Sequence, residues 1–102
     1  MTITIRQKKE PIDTVVITLP SEFKFNAWKE FMDKCEKELM HNRIEFDMRQ
    51  VEYIDSAGLG MLLWAQNIVD TSGRKIHIMH CNERVKKLIN VAHFERFFIL
   101  EH

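Results

Sequence analysis

The run Asp55-Ser56-Ala57-Gly58-Leu59-Gly60 places a carboxylate, a hydroxyl and two glycines within six residues, between Val51-Glu52-Tyr53-Ile54 and a long apolar-periodic stretch. A strand passing through Tyr53-Ile54 into a helix would put Asp55 and Ser56 at the helix N-terminus. Unpaired backbone N–H groups and the macrodipole favour negative charge there. The simplest task for such a serine is N-capping, which is worth ~1 kcal/mol, and either Ser56 or Asp55 can cap. The same position suits a second kind of chemistry. Phosphorylation of the hydroxyl would add about −1.5 to −2 charge. The helix terminus would partly stabilise that charge, whereas a partner surface shaped for a neutral hydroxyl beside Asp55 would be repelled. Such a group acts as a binding switch and not as a catalytic device.

Gly58 and Gly60 each cost ~1 kcal/mol of helix propensity relative to alanine, so a feature other than local stability must favour them. Close approach of another backbone is the natural reason. At 100° per residue, Gly58, Met61, Leu62, Ala65 and Val69 gather on one side of the helix, which is the expected core face. Ser56, Gly60, Leu63 and Asn67 line the opposite side. They read as a docking ridge with the modifiable serine at one end, and Trp64 borders it.

Other chemistries find less support. A hydrolase built on Ser56 would need a Gly-x-Ser-x-Gly elbow or a histidine between carboxylate and serine, and adjacent Asp55 and Ser56 cannot form that relay. Gly58-Leu59-Gly60 lacks the third glycine of a dinucleotide fingerprint, and there is no phosphate loop ending in Gly-Lys-Ser/Thr. His77 and His80 would project to opposite faces of a strand, with His80 beside Ile76 and Ile78, which argues against a metal site with Cys81. No cofactor and no metal are expected. Cys35 and Cys81 read as buried free thiols.

The elements that position Ser56 follow from periodicity. Residues 2–8 alternate polar and apolar, and residues 14–19 are β-branched and end at Pro20; two strands joined as a hairpin are expected. Residues 26–41 carry Trp28, Phe31, Met32, Cys35 and Leu39 at helical spacing, with Glu30/Lys34 and Asp33/Lys37 paired four apart. A third strand is expected over 43–48, a second helix over 56–71 ended by Ser72-Gly73, and a fourth strand over 75–80. Asn82 can cap a third helix bearing Val85, Leu88, Ile89 and Ala92. Phe94, Phe97, Phe98 and Ile99 form an apolar tail. The expected fold is a single α/β domain with a mostly parallel sheet of four to five strands, three to four helices, and the first strand antiparallel at an edge.

Composition bounds the partners. The chain has 102 residues and is 45% hydrophobic, enough for one core. Lys plus Arg equals Asp plus Glu at 15 each, so the excess positive charge that nucleic-acid binding needs is absent. No apolar run approaches the ~20 residues that span a bilayer, and the N-terminus does not look like a signal peptide, so a cytoplasmic protein without membrane insertion is expected. Residues 100–102, Leu-Glu-His, look like the start of a purification tag, which puts the domain at 1–99.

Asp55-Ser56-Ala57-Gly58-Leu59-Gly60 resembles the signature of STAS domains, the family of bacterial anti-sigma factor antagonists, and the similarity extends over residues 14–98. Cys81-Asn82-Glu83-Arg84-Val85-Lys86-Lys87-Leu88-Ile89 followed by Phe94 resembles the family's closing segment. The resemblance implies a non-enzymatic regulator in a partner-switching pathway. In that family the serine after the aspartate is phosphorylated by the anti-sigma factor itself, a serine kinase of the histidine-kinase-like ATPase type, and dephosphorylated by a metal-dependent serine phosphatase. The unphosphorylated antagonist binds the anti-sigma factor and frees the sigma factor. Ser56 is the matching acceptor. Joined with the ridge residues Leu63 and Asn67 read from helical spacing, the expected partner surface comprises Glu22, Phe23, Asp55, Ser56, Ala57, Gly58, Gly60, Leu63 and Asn67. The chain departs from the family pattern at Pro20-Ser21-Glu22-Phe23-Lys24-Phe25, where a Gly-Glu-Leu-Asp stretch is common, and at Ala57, where Ser or Thr is common. Some STAS domains with a similar Asp-Ser/Thr-Ala-Gly-Leu sequence are instead subunits of ABC-type lipid transporters, without a known phosphoswitch.

Overall fold

The alternating N-terminal residues and the β-branched run after Asp13 form an antiparallel pair, β1 (Thr4–Lys8) and β2 (Thr14–Thr18), in a computed structural model that describes residues 2–101. From β2 the chain passes through the short strand β3 (Glu22–Phe23) into helix α1 (Trp28–Cys35), then returns to β4 (Arg43–Asp47). The next unit is β5 (Tyr53–Ile54), α2 (Ser56–Asp70) and β6 (His77–Met79). The last is α3 (Glu83–Val91) and β7 (Ile99–Glu101). The main sheet has the order β1-β2-β4-β6-β7, and every ladder after β1-β2 is parallel. β3 and β5 form a separate two-stranded parallel sheet.

Each crossover steps one strand further in the same direction, and right-handed crossovers then set all three helices on one face. Period-two alternation fits this. Val15, Ile17, Ile44, Phe46 and Ile78 share the helix-covered face and join Phe31, Met61, Leu62, Val85 and Ile89 in one core. The opposite face carries Arg43, Glu45, Asp47, His77 and Glu101. There Arg43 bridges Glu45 at 2.7 Å and Glu101 at 3.0 Å, and His77 Nδ1 also bonds Glu101.

The expected hairpin, the edge position of β1 and the parallel sheet are present. Three features differ. The helix expected over 26–41 is divided: Phe25–Ala27 and Glu36–Glu38 are 3-10 turns flanking α1, and neither Lys24 nor Ala27 supplies a side-chain cap. The strand expected over 75–80 spans only His77–Met79, because His80 takes a left-handed conformation (φ 63°) that ends it. His80 therefore does not lie on the strand face shared by Ile76 and Ile78, and it is exposed. Finally, the domain does not stop at residue 99. Leu100 pairs with Ile78 and packs against the core, while Glu101 pairs with Met79 and accepts the Arg43 bond.

Two polar devices hold the helices. Gln66, buried at 4% exposure, donates to the Arg74 carbonyl at 3.0 Å and accepts the Ile76 N–H at 2.7 Å, fastening α2 to the start of β6. Asn82 caps α3 by accepting the Val85 N–H at 2.8 Å and donates to the Val51 carbonyl at 2.9 Å. It thus ties α3 to the chain entering β5. Both cysteines are free; burial pushes the Cys35 thiol up to about 12 and the Cys81 thiol up to about 11, so neither is a ready nucleophile.

Candidate functional site

β5 delivers Asp55 in an extended conformation (φ −103°, ψ −177°), and its Oδ1 accepts the Gly58 N–H at 2.7 Å. Asp55 is thus the N-cap of α2. That decides between the two capping candidates: Ser56 is the first residue of the helix, exposed, and its hydroxyl takes no part in the cap. A serine so placed can be modified without removing a bond that holds the helix.

Gly58 explains itself by proximity. A Cβ built there would lie 2.4 Å from the Phe23 carbonyl oxygen and 2.7 Å from Ile54 Cγ1, so the first turn of α2 rests directly on the β3-β5 pair. Gly60 is different. A Cβ there meets nothing within 4 Å. Its missing side chain instead opens a surface hollow of about 250 Å³ lined by Phe25, Trp28, Ala57, Gly60 and Met61. Phe25 is 72% exposed beside that hollow. Trp28 is braced by Trp64 in an edge-to-face pair at 5.7 Å, and Phe31 backs Trp64 at 6.1 Å.

The core face expected for α2 is buried throughout: Gly58, Met61, Leu62, Ala65 and Val69. Along the expected docking ridge, Ser56, Gly60 and Asn67 are exposed and Ala57 is half-buried in the hollow. Leu63 is half-buried and packs against the core, so it offers only part of its surface. Asp55 is half-buried by its capping role, and Glu22 is exposed. Two residues of the expected partner surface lie inside the protein. Phe23 is 0% exposed, edge-on to Phe31 at 5.3 Å, and Gly58 is sealed beneath it. Burying Phe23 turns Lys24 outward, and Phe25, which continued alternation would return to the buried side, reaches the surface because β3 has ended and Phe25 begins the 3-10 turn Phe25–Ala27.

Phe25, Trp28, Lys24 and Tyr53 are the surface residues that periodicity missed. Lys24 Nζ stands 3.2 Å from Glu22 Oε1 and 5.7 Å from the centre of the Tyr53 ring. Tyr53 also lines a second hollow, of about 360 Å³, with Glu52, Ile54, Arg84, Lys87 and Leu88. Two-residue strands carry too little pattern to signal these surface residues. Among the described residues no cluster of three histidine, cysteine or carboxylate groups could hold a metal ion, and no helix is long and apolar enough to cross a membrane.

A capped strand-to-helix junction with a free serine, resting on a small parallel sheet, is matched by a family model. The model described as "Mlab, STAS domain" covers residues 7–101. The chain belongs to the STAS family. A STAS-domain containing protein of Pseudomonas aeruginosa is 29% identical over 85 residues, which is 82% of this chain and 84% of that protein. Solved structures agree on the fold. A Thermotoga maritima protein described as a candidate anti-sigma factor antagonist superposes with a TM-score of 0.82 at 20% identity, over 96% of this chain and 84% of that one. The anti-sigma factor antagonist SpoIIAA in its unphosphorylated form gives 0.75 at 15% identity, over 99% and 88%. Its phosphorylated form from Bacillus gives 0.70 at 15% identity, over 97% and 92%. At these identities the likeness establishes the STAS fold.

Proposed function

We propose that this STAS domain is a non-catalytic, anti-sigma factor antagonist-like regulator in a partner-switching pathway, in which the unphosphorylated form binds a serine kinase of the histidine-kinase-like ATPase type and phosphorylation of Ser56 abolishes binding. A metal-dependent serine phosphatase resets the switch. The observation that carries this reading is the division of labour at the head of α2: Asp55 caps, and Ser56 presents an uncommitted hydroxyl. The docking face is Ser56, Ala57, Gly60 and Asn67 together with the exposed Phe25 and the rim of Leu63. A phosphate on Ser56 brings a dianion to a face whose neighbouring hollow is apolar, and a partner covering both would have to desolvate that charge without compensation.

The reading is tested by titration calorimetry against the cognate kinase-type partner. Ser56→Ala binds persistently and Ser56→Asp binds at least tenfold more weakly; equal affinity of the two variants rejects the switch. Co-purification with a permease and an ATPase, with Ser56 unmodified by any candidate kinase in intact-mass analysis, would instead indicate an ABC-type lipid transporter subunit.

A further inference from the structure

On the segment that runs beside the one delivering Ser56 stands a lysine whose present partners are both exchangeable. β3 and β5 pair with Glu22 opposite Tyr53 and Phe23 opposite Ile54. Lys24 continues the extended backbone (φ −128°, ψ −179°), as Asp55 does on the neighbouring strand. The register therefore brings Lys24 opposite Asp55, one residue before Ser56. Two contacts place the same segment along the first turn of α2. The Phe23 carbonyl lies against Gly58, and Phe25 shares a hollow with Ala57 and Gly60. With Phe23 and Ile54 buried, Lys24 shares the outward face of the pair with Glu22 and Tyr53. Both of those residues are more than half exposed, at 62% for the Glu22 side chain and 51% for Tyr53. An exposed single ion pair and an exposed cation–π contact are weak in water.

We propose that Lys24 is the built-in counter-ion of phosphorylated Ser56: once the hydroxyl carries a phosphoryl group, the ammonium leaves Glu22 and the Tyr53 ring and pairs with the phosphate. The inference rests on the reading of Ser56 as the modified residue. Adjacent strands are ~4.8 Å apart and successive Cα atoms ~3.8 Å, so a lysine and a phosphoserine in these positions reach one another without backbone movement. A phosphate carrying nearly two charges and three acceptor oxygens outcompetes the single Glu22 carboxylate. The other charged groups around the site are Glu52 and Asp55 on the chain of β5, and Arg84 and Lys87 of α3 across the Tyr53 hollow. Asp55 is committed to the Gly58 N–H and carries the same sign as the phosphate, which drives the phosphate away from it. Phosphorylation then does two things: it adds charge beside the apolar hollow, and it uncovers Tyr53 on the β3-β5 face.

The test uses the full chain with phosphoserine installed at position 56 during translation, so that no kinase is involved. Phosphorus NMR follows the second ionisation of the phosphate, near 6 in an unstructured peptide. A neighbouring ammonium lowers it by about half a unit to one unit in the parent protein. Lys24→Met and Lys24→Gln return it toward 6, whereas Arg84→Met changes it by less than half as much. The Tyr53 ring resonances shift on phosphorylation in the parent and stay in place in Lys24→Met. Identical phosphate titrations in the parent and both Lys24 variants overturn the proposal, as does a larger effect from Arg84→Met. Partner binding by the same phosphoprotein is a separate readout. A phosphoprotein that still binds rejects the switch while leaving the Lys24 contact standing, and a normal switch with an unshifted phosphate does the reverse.

Discussion

Two glycines two residues apart in α2 should respond to the same substitution with opposite signs. In Gly58→Ala the new methyl would stand 2.4 Å from the Phe23 carbonyl oxygen, 2.7 Å from Ile54 Cγ1 and 3.2 Å from Phe23 Cδ2. The first of these is backbone, held by the β3-β5 pairing and by the Ser21 carbonyl, which accepts the N–H groups of Glu52 at 2.8 Å and Tyr53 at 3.0 Å. Ordinary contact therefore requires α2 and β3 to separate by roughly 1 Å, an overpacking strain that costs about 1–3 kcal/mol in a well-packed interior. The upper end applies, since the nearest atom is backbone and the other two belong to buried side chains. Alanine's better helix propensity recovers up to ~1 kcal/mol, leaving a net loss of about 2 kcal/mol. For a domain of this size that is a fall in Tm of roughly 8–16 °C. In Gly60→Ala nothing lies within 4 Å of the methyl, so only the propensity term remains. It stabilises by about 0.5–1 kcal/mol and raises Tm by roughly 2–8 °C. Circular-dichroism melts and urea titrations of the two variants beside the parent decide the matter. A Gly58→Ala protein as stable as Gly60→Ala would refute the close approach of α2 to β3.

Three further outcomes follow from named contacts. Asp55→Ala removes the cap of α2 and lowers stability by ~1 kcal/mol in urea titration, while Ser56→Ala stays within about 0.5 kcal/mol of the parent. Phe23→Ala empties a core position and costs about 3–5 kcal/mol, whereas Phe25→Ala leaves the urea midpoint nearly unchanged and weakens partner binding in calorimetry. Stability also falls on both sides of neutrality. His41 is held above its ordinary value of 6.5, chiefly by its hydrogen bond to Asp13, so its contribution is complete below 6.5 and is lost as pH rises through the raised folded-state value. Glu101 is held below its ordinary value of 4.5, chiefly by its hydrogen bond to His77, so its contribution is complete above 4.5 and is lost as pH falls through the lowered value. Urea midpoints across pH 3–9 should lose part of their alkaline slope in His41→Asn and part of their acid slope in Glu101→Gln.

Periodicity carries the element order and the core of α2 because both depend on one face of a regular element being buried. Met61, Leu62, Ala65 and Val69 were legible for that reason. What escaped were features shorter than a period. β3 and β5 have two residues each, too few to show alternation, and the opposite fates of Phe23 and Phe25 depend on β3 ending before Phe25 enters a 3-10 turn. A similar limit applies to Leu100 and Glu101. Three residues carry no pattern, and only the pairing of β7 with β6 gives them a place. A helical wheel assigns Leu63 to the solvent side, whereas the fold leaves it half-buried against the core; how far such a residue is covered depends on neighbouring elements and not on spacing along its own helix. Gln66 lay on no expected list because a buried glutamine is recognisable only through the backbone groups it satisfies.

The head of α2 separates rigidity from chemistry in successive residues. Asp55 and Gly58 do the holding: one satisfies an orphan N–H, and the other brings the helix within contact of β3. Ser56, Ala57 and Gly60 face outward from the turn so fixed, and none of the three is needed to fix it. Had Ser56 been the cap, adding a phosphate would have disturbed the helix terminus and the hydroxyl at once, and any loss of binding would have been inseparable from a loss of structure. Because the neighbouring carboxylate caps instead, a charge can be added to the surface of an unchanged fold. The segment Phe23-Lys24-Phe25, where β3 gives way to a 3-10 turn, repeats this division beside it, with a phenylalanine sealing the glycine, a lysine within reach of the serine, and a second phenylalanine at the apolar hollow.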